Sequence, residues 1–286
     1  MKASERAQRH NVDRRSKMAR LGERLRVAPG TKVDLASIDP NDTHGRSKRS
    51  SQQELADGLG RLTALQDRLW AEAKHAVVVV LQGIDASGKD GTIRHVMSAF
   101  NPMGFQVTSF KVPTPIELAH DYLWRVHQRT PARGEIGIFN RSHYEDVLVV
   151  RVHELVPKAI WSKRYEQINE FEQALAESGT TILKFFLLID RDEQKKRFQA
   201  RLDDPTKRWK FRATDLDERK LWDSYIAAYA EAVSRCSTIW APWYVVPANH
   251  KWFRNLAVAE ILADTLDDLN PQYPPGEQLA PDLKIE

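Results

Sequence analysis

Apolar positions along the chain follow two alternating rhythms. Leu55, Leu59, Leu62, Leu65 and Leu69 recur at three- and four-residue steps. That spacing gathers side chains on one face of a helix, and it predicts a helix ending near His75. Directly after it, Ala76-Val77-Val78-Val79-Val80-Leu81 is continuously apolar and rich in β-branched residues. Such a run suits a strand covered on both faces of a parallel sheet. Further strands are expected at 105–111, 135–139, 181–189 and 243–246, with helices at 92–99, 116–127, 161–177, 193–202, 215–235 and 252–266. Alternation of this kind predicts crossover connections and one α/β domain, a three-layer sandwich with a five-stranded parallel sheet flanked by helices. Turn chemistry at Pro29-Gly30 and Asp39-Pro40-Asn41-Asp42 marks an irregular stretch before the first long helix. Pro274-Pro275 lies in a Pro-rich tail, 271–286, expected to drape over the surface.

Composition narrows the class. Hydrophobic residues are 42% and charged residues 29% of the 286, ordinary for a globular protein. No apolar run approaches the roughly 20 residues of a membrane helix, and the basic N-terminus lacks the apolar core of a secretory signal. Cys236 is the single cysteine, so no intrachain disulfide forms and a reducing, cytoplasmic location is expected. The net charge of +4 is uneven: residues 1–26 carry nine basic side chains against three acids, a balance of +6, which leaves −2 for the remainder. Residues 1–24 therefore read as a basic, flexible extension. The near-neutral remainder does not favour a nucleic-acid-binding face, which is normally basic throughout.

The chemistry concentrates in three places. The first is Gly83-Ile84-Asp85-Ala86-Ser87-Gly88-Lys89-Asp90-Gly91, between the most apolar strand and a helix. Gly-x4-Gly-Lys in that context is a phosphate-binding loop: backbone N–H groups curl round phosphate oxygens, the helix N-terminus adds partial positive charge, and the lysine adds a full one. Gly83, Ser87, Gly88 and Lys89 are the candidate phosphate ligands. Where such loops usually place Ser or Thr after the lysine to bind Mg²⁺, Asp90 stands here. Asp85 puts a carboxylate among the phosphates, which is repulsive unless a hard divalent cation lies between. Asp85 is accordingly a candidate metal ligand, a structural hydrogen-bonding role being the plainer alternative.

The second place is Asn140-Arg141-Ser142-His143-Tyr144-Glu145-Asp146, just past a strand's C-terminal end, where open α/β sheets bind ligands. Asp146 suits Mg²⁺, Asn140 and Arg141 suit phosphate, and Glu145 suits metal-bound water or acceptor selection. A helix start capped by Ser142, with Glu145 as its capping-box partner, accounts for those two residues alone; His143 reads as structural. The third place follows the longest strand: Arg197, Arg201, Lys207, Arg208, Lys210 and Arg212, interleaved with Trp209 and Phe211 and broken by Pro205. These read as a helical lid, about 197–215, closing positive charge over a polyanion, with a solvated basic face as the alternative. The aromatic cluster 240–244 and the Trp222, Tyr225, Tyr229 series read as core packing.

Taken together, Gly83-x-Asp85-x-x-Gly88-Lys89-Asp90-Gly91, the run 139–146 and Lys207-Arg208-Trp209-Lys210 resemble the motifs of the polyphosphate kinase 2 family, closest to its class III. The likeness spans roughly 25–266. It implies a P-loop kinase-like fold in a phosphotransferase domain of 25–270. The implied reaction transfers the terminal phosphate of inorganic polyphosphate to ADP, and with Glu145 in place to AMP as well, reversibly in principle. It implies Mg²⁺ held by Asp85 and Asp146, with Mn²⁺ as substitute, and phosphates bound by Lys89 and Arg141. It also implies a lid of Arg197, Arg201, Lys207, Arg208 and Lys210, and a homo-oligomer, dimer or tetramer. An ATP-dependent nucleoside monophosphate kinase shares the loop, arginine and lid but needs a second base pocket. A non-catalytic polyanion binder using the basic arm leaves Asp85 and Asp146 without a purpose.

Overall fold

The computed structural model describes residues 20–277. Five parallel strands form one sheet: β1 (Ala76–Gln82), β2 (Phe105–Ser109), β3 (Ile136–Asn140), β4 (Thr180–Leu188) and β5 (Trp243–Pro247), in the order β2-β3-β1-β4-β5. The chain lays strands first to one side of β1 and then to the other. The crevice beside the C-terminal end of β1 is therefore a topological switch point, where such sheets take ligands.

The valine run is buried because both faces of β1 are covered. Val77, Val79 and Leu81 point into one apolar cluster, under α1 (Leu21–Leu25), α2 (Lys48–Glu72), α3 (Lys89–Val96) and the C-terminal helix Lys251–Leu269. Val78 and Val80 point into the other, under the helices Arg164–Glu177 and Trp222–Cys236. Numbered in order, the longer helices after α3 are α4 (Arg164–Glu177), α5 (Arg191–Asp203), α6 (Thr214–Lys220), α7 (Trp222–Cys236) and α8 (Lys251–Leu269). The leucine stripe of α2 lies against α8, its flank pinned where Arg61 donates to Asp264 at 3.0 Å.

Several expected boundaries move for local reasons. The helix expected over 116–127 is two single turns, Pro115–Leu118 and Trp124–His127. Between them Asp121 accepts the N–H groups of Leu123 and Trp124 on its own carboxylate, which competes with helix continuation. The helix expected over 215–235 breaks at Leu221 into α6 and α7. Most of the expected extension 1–24 lies outside the described residues. Its last part is α1, whose Leu21 and Leu25 are core residues, so the folded domain starts before residue 25. At the other end, Tyr273 donates to Asp67 on α2 and the Gln272 N–H to Glu72.

Candidate active site

The loop after β1 is held in one shape by what surrounds it. A Cβ on Gly83 would lie 2.6 Å from the Ser87 Oγ and 2.9 Å from the Leu187 carbonyl oxygen, so no larger residue fits. Gly88, at φ 109°, takes the left-handed turn that starts α3. Lys89 is buried, and its ammonium arches back to donate to the carbonyls of Gly83 at 2.5 Å and Ile84 at 3.4 Å. Burial first, and then Arg141, bring the Lys89 pKa down to about 8 against the opposing pull of Asp85, Glu145 and Asp90. The Ser87 N–H closes onto the Ile84 carbonyl, and its Oγ is buried without a hydrogen-bond partner among the described residues.

The strand beside β1 supplies the matching half. Arg141, one residue past β3, sits at φ 63°, a left-handed conformation rarely adopted by a residue with a side chain and typical of functional turns. Its N–H still bonds the Leu81 carbonyl at 3.0 Å, which fixes the register with β1. From there the guanidinium reaches Asp85 at 2.8 Å and Glu145 at 3.3 Å. Those carboxylates, Glu145 foremost, hold the arginine firmly protonated. The other oxygen of Glu145, Oε1, is buried with no partner. Asn140 donates to Asp90 at 2.9 Å, and Lys210 approaches the same carboxylate at 3.8 Å. Lys89, Asp85, Arg141, Glu145, Asn140, Asp90 and Lys210 are thus brought into one neighbourhood.

Two expected site residues have other partners. Asp146 accepts from Arg164 at 2.9 Å, and burial raises its carboxyl to about 6 despite that arginine. Arg197 is the clearer departure, because it does not belong to a mobile lid. It is buried within α5, and all five of its N–H donors are engaged: with Glu193, with the carbonyls of Ala86 and Ser87, and with those of Ala248 and Asn249. No donor is left for a phosphate, so Arg197 braces the loop from behind. The mixed pattern of α5, which carries charge on every face, hid that inward turn.

The rest of the basic segment is at the surface. Lys207 pairs with Asp204, Arg208 donates to the Leu202 carbonyl at 3.0 Å, and Arg201 lies over the Phe198 ring without an acidic partner among the described residues. Trp209 is 76% exposed, while Phe211 packs edge-on against Phe198 and anchors the segment to α5.

Beneath the turn that carries Glu145 lies a buried polar network. Lys184, in the middle of β4, donates to Glu172, to the Tyr144 hydroxyl at 2.8 Å and to the Cys236 carbonyl at 2.6 Å. Glu172 also takes hydrogen bonds from Tyr144 at 3.0 Å and His143 at 3.1 Å. Burial alone would raise the Glu172 carboxyl, yet Lys184 and His143 outweigh it and hold it below its usual value. His143, expected to be structural, is buried and bonds Glu172. Ser142 caps the turn through the Tyr144 N–H rather than in a full capping box, since Glu145 turns to Arg141 instead. Gln82, Gln194 and Arg254 also touch this machinery and were not legible as functional: Gln82 bonds Ser142 at 3.2 Å, Gln194 bonds the Asp85 carbonyl at 3.0 Å, and Arg254 lies behind Gly88. For Gln82 and Arg254 the one available signal was polarity beside apolar runs, and Gln194, within the charged α5, gave none.

The donor set fits a magnesium ion. Carboxylate oxygens are the hard ligands it prefers, Asp85 is half-exposed at the loop, and Glu145, on the same arginine, has an unpartnered oxygen. Among the described residues no three His, Cys, Asp or Glu side chains gather into a metal cage. Mg²⁺ needs none, because it is usually held by one or two carboxylates together with water and substrate phosphates.

Comparison with known proteins gives consistent relatives. The family model described as Polyphosphate kinase 2 (PPK2) matches residues 45–274. An AMP/ADP-polyphosphate phosphotransferase from Meiothermus ruber is 54% identical over 266 residues, covering 92% of this chain and 100% of the relative. An ADP-polyphosphate phosphotransferase from Rhodopseudomonas palustris is 47% identical, covering 88% and 92%. The crystal structure of Polyphosphate Kinase 2 from Arthrobacter aurescens superposes with a TM-score of 0.88 at 44% identity, covering 92% of this chain and 94% of that one.

Proposed function

The chain belongs to the polyphosphate kinase 2 family, and we propose that it moves the terminal phosphate of inorganic polyphosphate onto ADP, and onto AMP as well. The observation that carries the reading is the convergence of Lys89, Asp85, Arg141 and Glu145 at the ends of β1 and β3, joined through Lys210 and Asp90 to the segment that also carries Lys207 and Arg208. A single nucleotide does not require so many cations; a long polyanionic donor does.

Phosphoryl transfer needs positioning and charge neutralisation more than covalent chemistry from the protein. The Lys89 ammonium and the first-turn N–H groups of α3 hold phosphate oxygens at the loop. Arg141, set between two carboxylates, orients the acceptor phosphate. An acceptor phosphate oxygen attacks the terminal phosphorus, the bond to the bridging oxygen breaks, and that oxygen leaves with a polyphosphate one unit shorter. Asp85 and the free oxygen of Glu145 would hold Mg²⁺, with Asp146 close in sequence as a further ligand, and the ion would spread the charge on the transferred group. Lys207, Arg208, Lys210 and Arg201 close over the donor and exclude water. Acceptance of AMP is assigned to Glu145, and the working form to a homo-oligomer in the cytoplasm. Among the described residues no helix is long and apolar enough to cross a membrane.

Product chromatography tests this. The protein is incubated with Mg²⁺, AMP or ADP, and either polyphosphate or ATP as donor. ATP formed from ADP and polyphosphate is the expected result, followed by ATP accumulating from AMP. Transfer from ATP alone would make the protein an ordinary nucleotide kinase and sink the reading.

A further inference from the structure

Behind the phosphate loop lies a charge that neither fold nor reaction has so far used. Arg254, in the first turn of α8, is 3% exposed. Its guanidinium touches no carboxylate among the described residues. Nε and Nη2 share one neutral acceptor, the Asn255 side-chain oxygen, at 3.2 and 2.8 Å, and Nη1 lies 3.5 Å from the Ser87 carbonyl. Its nearest charged neighbour of consequence is another cation, Arg197, and burial together with that neighbour brings its pKa down to about 10. Buried charges are ordinarily paired, because an unpaired one costs several kcal/mol of desolvation. Arg197 obeys that rule through Glu193; Arg254 does not.

The geometry says what the charge faces. Nη1 occupies the space that a Gly88 Cβ would take, 1.8 Å from it, and Nη2 lies 3.1 Å from the equivalent point on Gly91. The two glycines thus serve a second purpose: their missing side chains admit a guanidinium to the back of the loop and the first turn of α3. Phosphates bound at the loop's mouth sit across one thickness of backbone, in a dry region where Coulomb interactions are weakly screened.

We infer that Arg254 is a positioning and electrostatic residue for phosphate binding, a buried cation left unpaired in the free protein so that its counter-charge is the bound phosphate itself. This rests on the proposed reaction only through the phosphate loop, and it holds for any phosphate donor seated there.

The test separates charge from structure. Wild type, Arg254→Met and Arg254→Lys are compared by calorimetric titration with Mg·ADP and with tripolyphosphate, and by thermal unfolding without ligand. Removing an unpaired buried charge should leave the free protein as stable as wild type or more so, while weakening both ligands roughly tenfold; Arg254→Lys should recover most of that affinity. A merely structural arginine gives the opposite pattern, a lower unfolding temperature with unchanged affinity in the folded fraction, and overturns the inference. Should Arg254→Met fail to fold, Arg254→Lys decides: binding near wild type supports the role of charge, and a tenfold loss despite the retained charge overturns it. Wild type that binds Mg·ADP but makes no ATP from polyphosphate sinks the proposed reaction and leaves this comparison intact.

Discussion

The turn at the ends of β1 and β3 and the basic strip after α5 both bring charge to the site but are built in contrary ways. At the turn, most side chains are fixed by partners distant in sequence: Arg141 by Asp85, Tyr144 by Glu172 and Lys184, Gln82 by Ser142. In the strip, partners are local, as in Lys207 with Asp204, Arg208 with Leu202 and Trp209 with Thr206. Only Lys210, through Asp90, and Phe211, through Phe198, tie it elsewhere. A segment with few buried contacts opens at little free-energy cost, whereas a cross-linked turn does not. One region has fixed geometry, and in the proposed reaction the other supplies the charge that closes over the donor.

That contrast is open to direct attack. The largest effect belongs to the turn: Asp85→Asn should lower kcat/KM by about 10³, roughly 4 kcal/mol of transition-state stabilisation, with the fold intact by circular dichroism. A loss below tenfold would remove Asp85 from the metal site. Next comes the scaffold beneath it. Lys184→Met leaves the buried Glu172 carboxylate with only Tyr144 and His143 as partners and should cost about 3 kcal/mol in urea unfolding at pH 7; unchanged stability would mean the network does not hold the turn. The wild-type contribution has a definite pH sense. Because the Glu172 carboxyl is held low in the folded state, its stabilisation is full above the unfolded value near 4.5 and is lost as pH falls through the folded one. The smallest effect belongs to the strip. Replacing Lys207 and Lys210 together by Ala should raise KM for polyphosphate about tenfold, roughly 1.4 kcal/mol, while the unfolding temperature stays put. Unchanged KM would return the strip to a solvated basic surface.

Most of the architecture and the two loops of the candidate site were legible because their signals are local. β-branched apolar runs mark buried parallel strands, and Gly83, Gly88 and Lys89 are required by backbone geometry and charge within nine residues. What was not legible depended on side-chain direction. Arg197 and Arg201 look equivalent one turn apart, yet the first turns in against the loop and the second stays at the surface. Lys184 interrupts an otherwise apolar strand pattern, and its meaning appears only when Glu172 is brought across from α4.

The amino-acid sequence by itself determined the α/β sandwich, the phosphate loop after its central strand and the acidic turn beside it, since each follows from periodicity or from chemistry between near neighbours. Tertiary structure alone decided which charges are paired. It gave Asp85 and Glu145 to Arg141, Asp146 to Arg164 and Glu172 to Lys184, and it left Arg254 behind the loop with no carboxylate among the described residues. Pairing depends on distances between segments far apart along the chain, and burial then sets what each charge is worth.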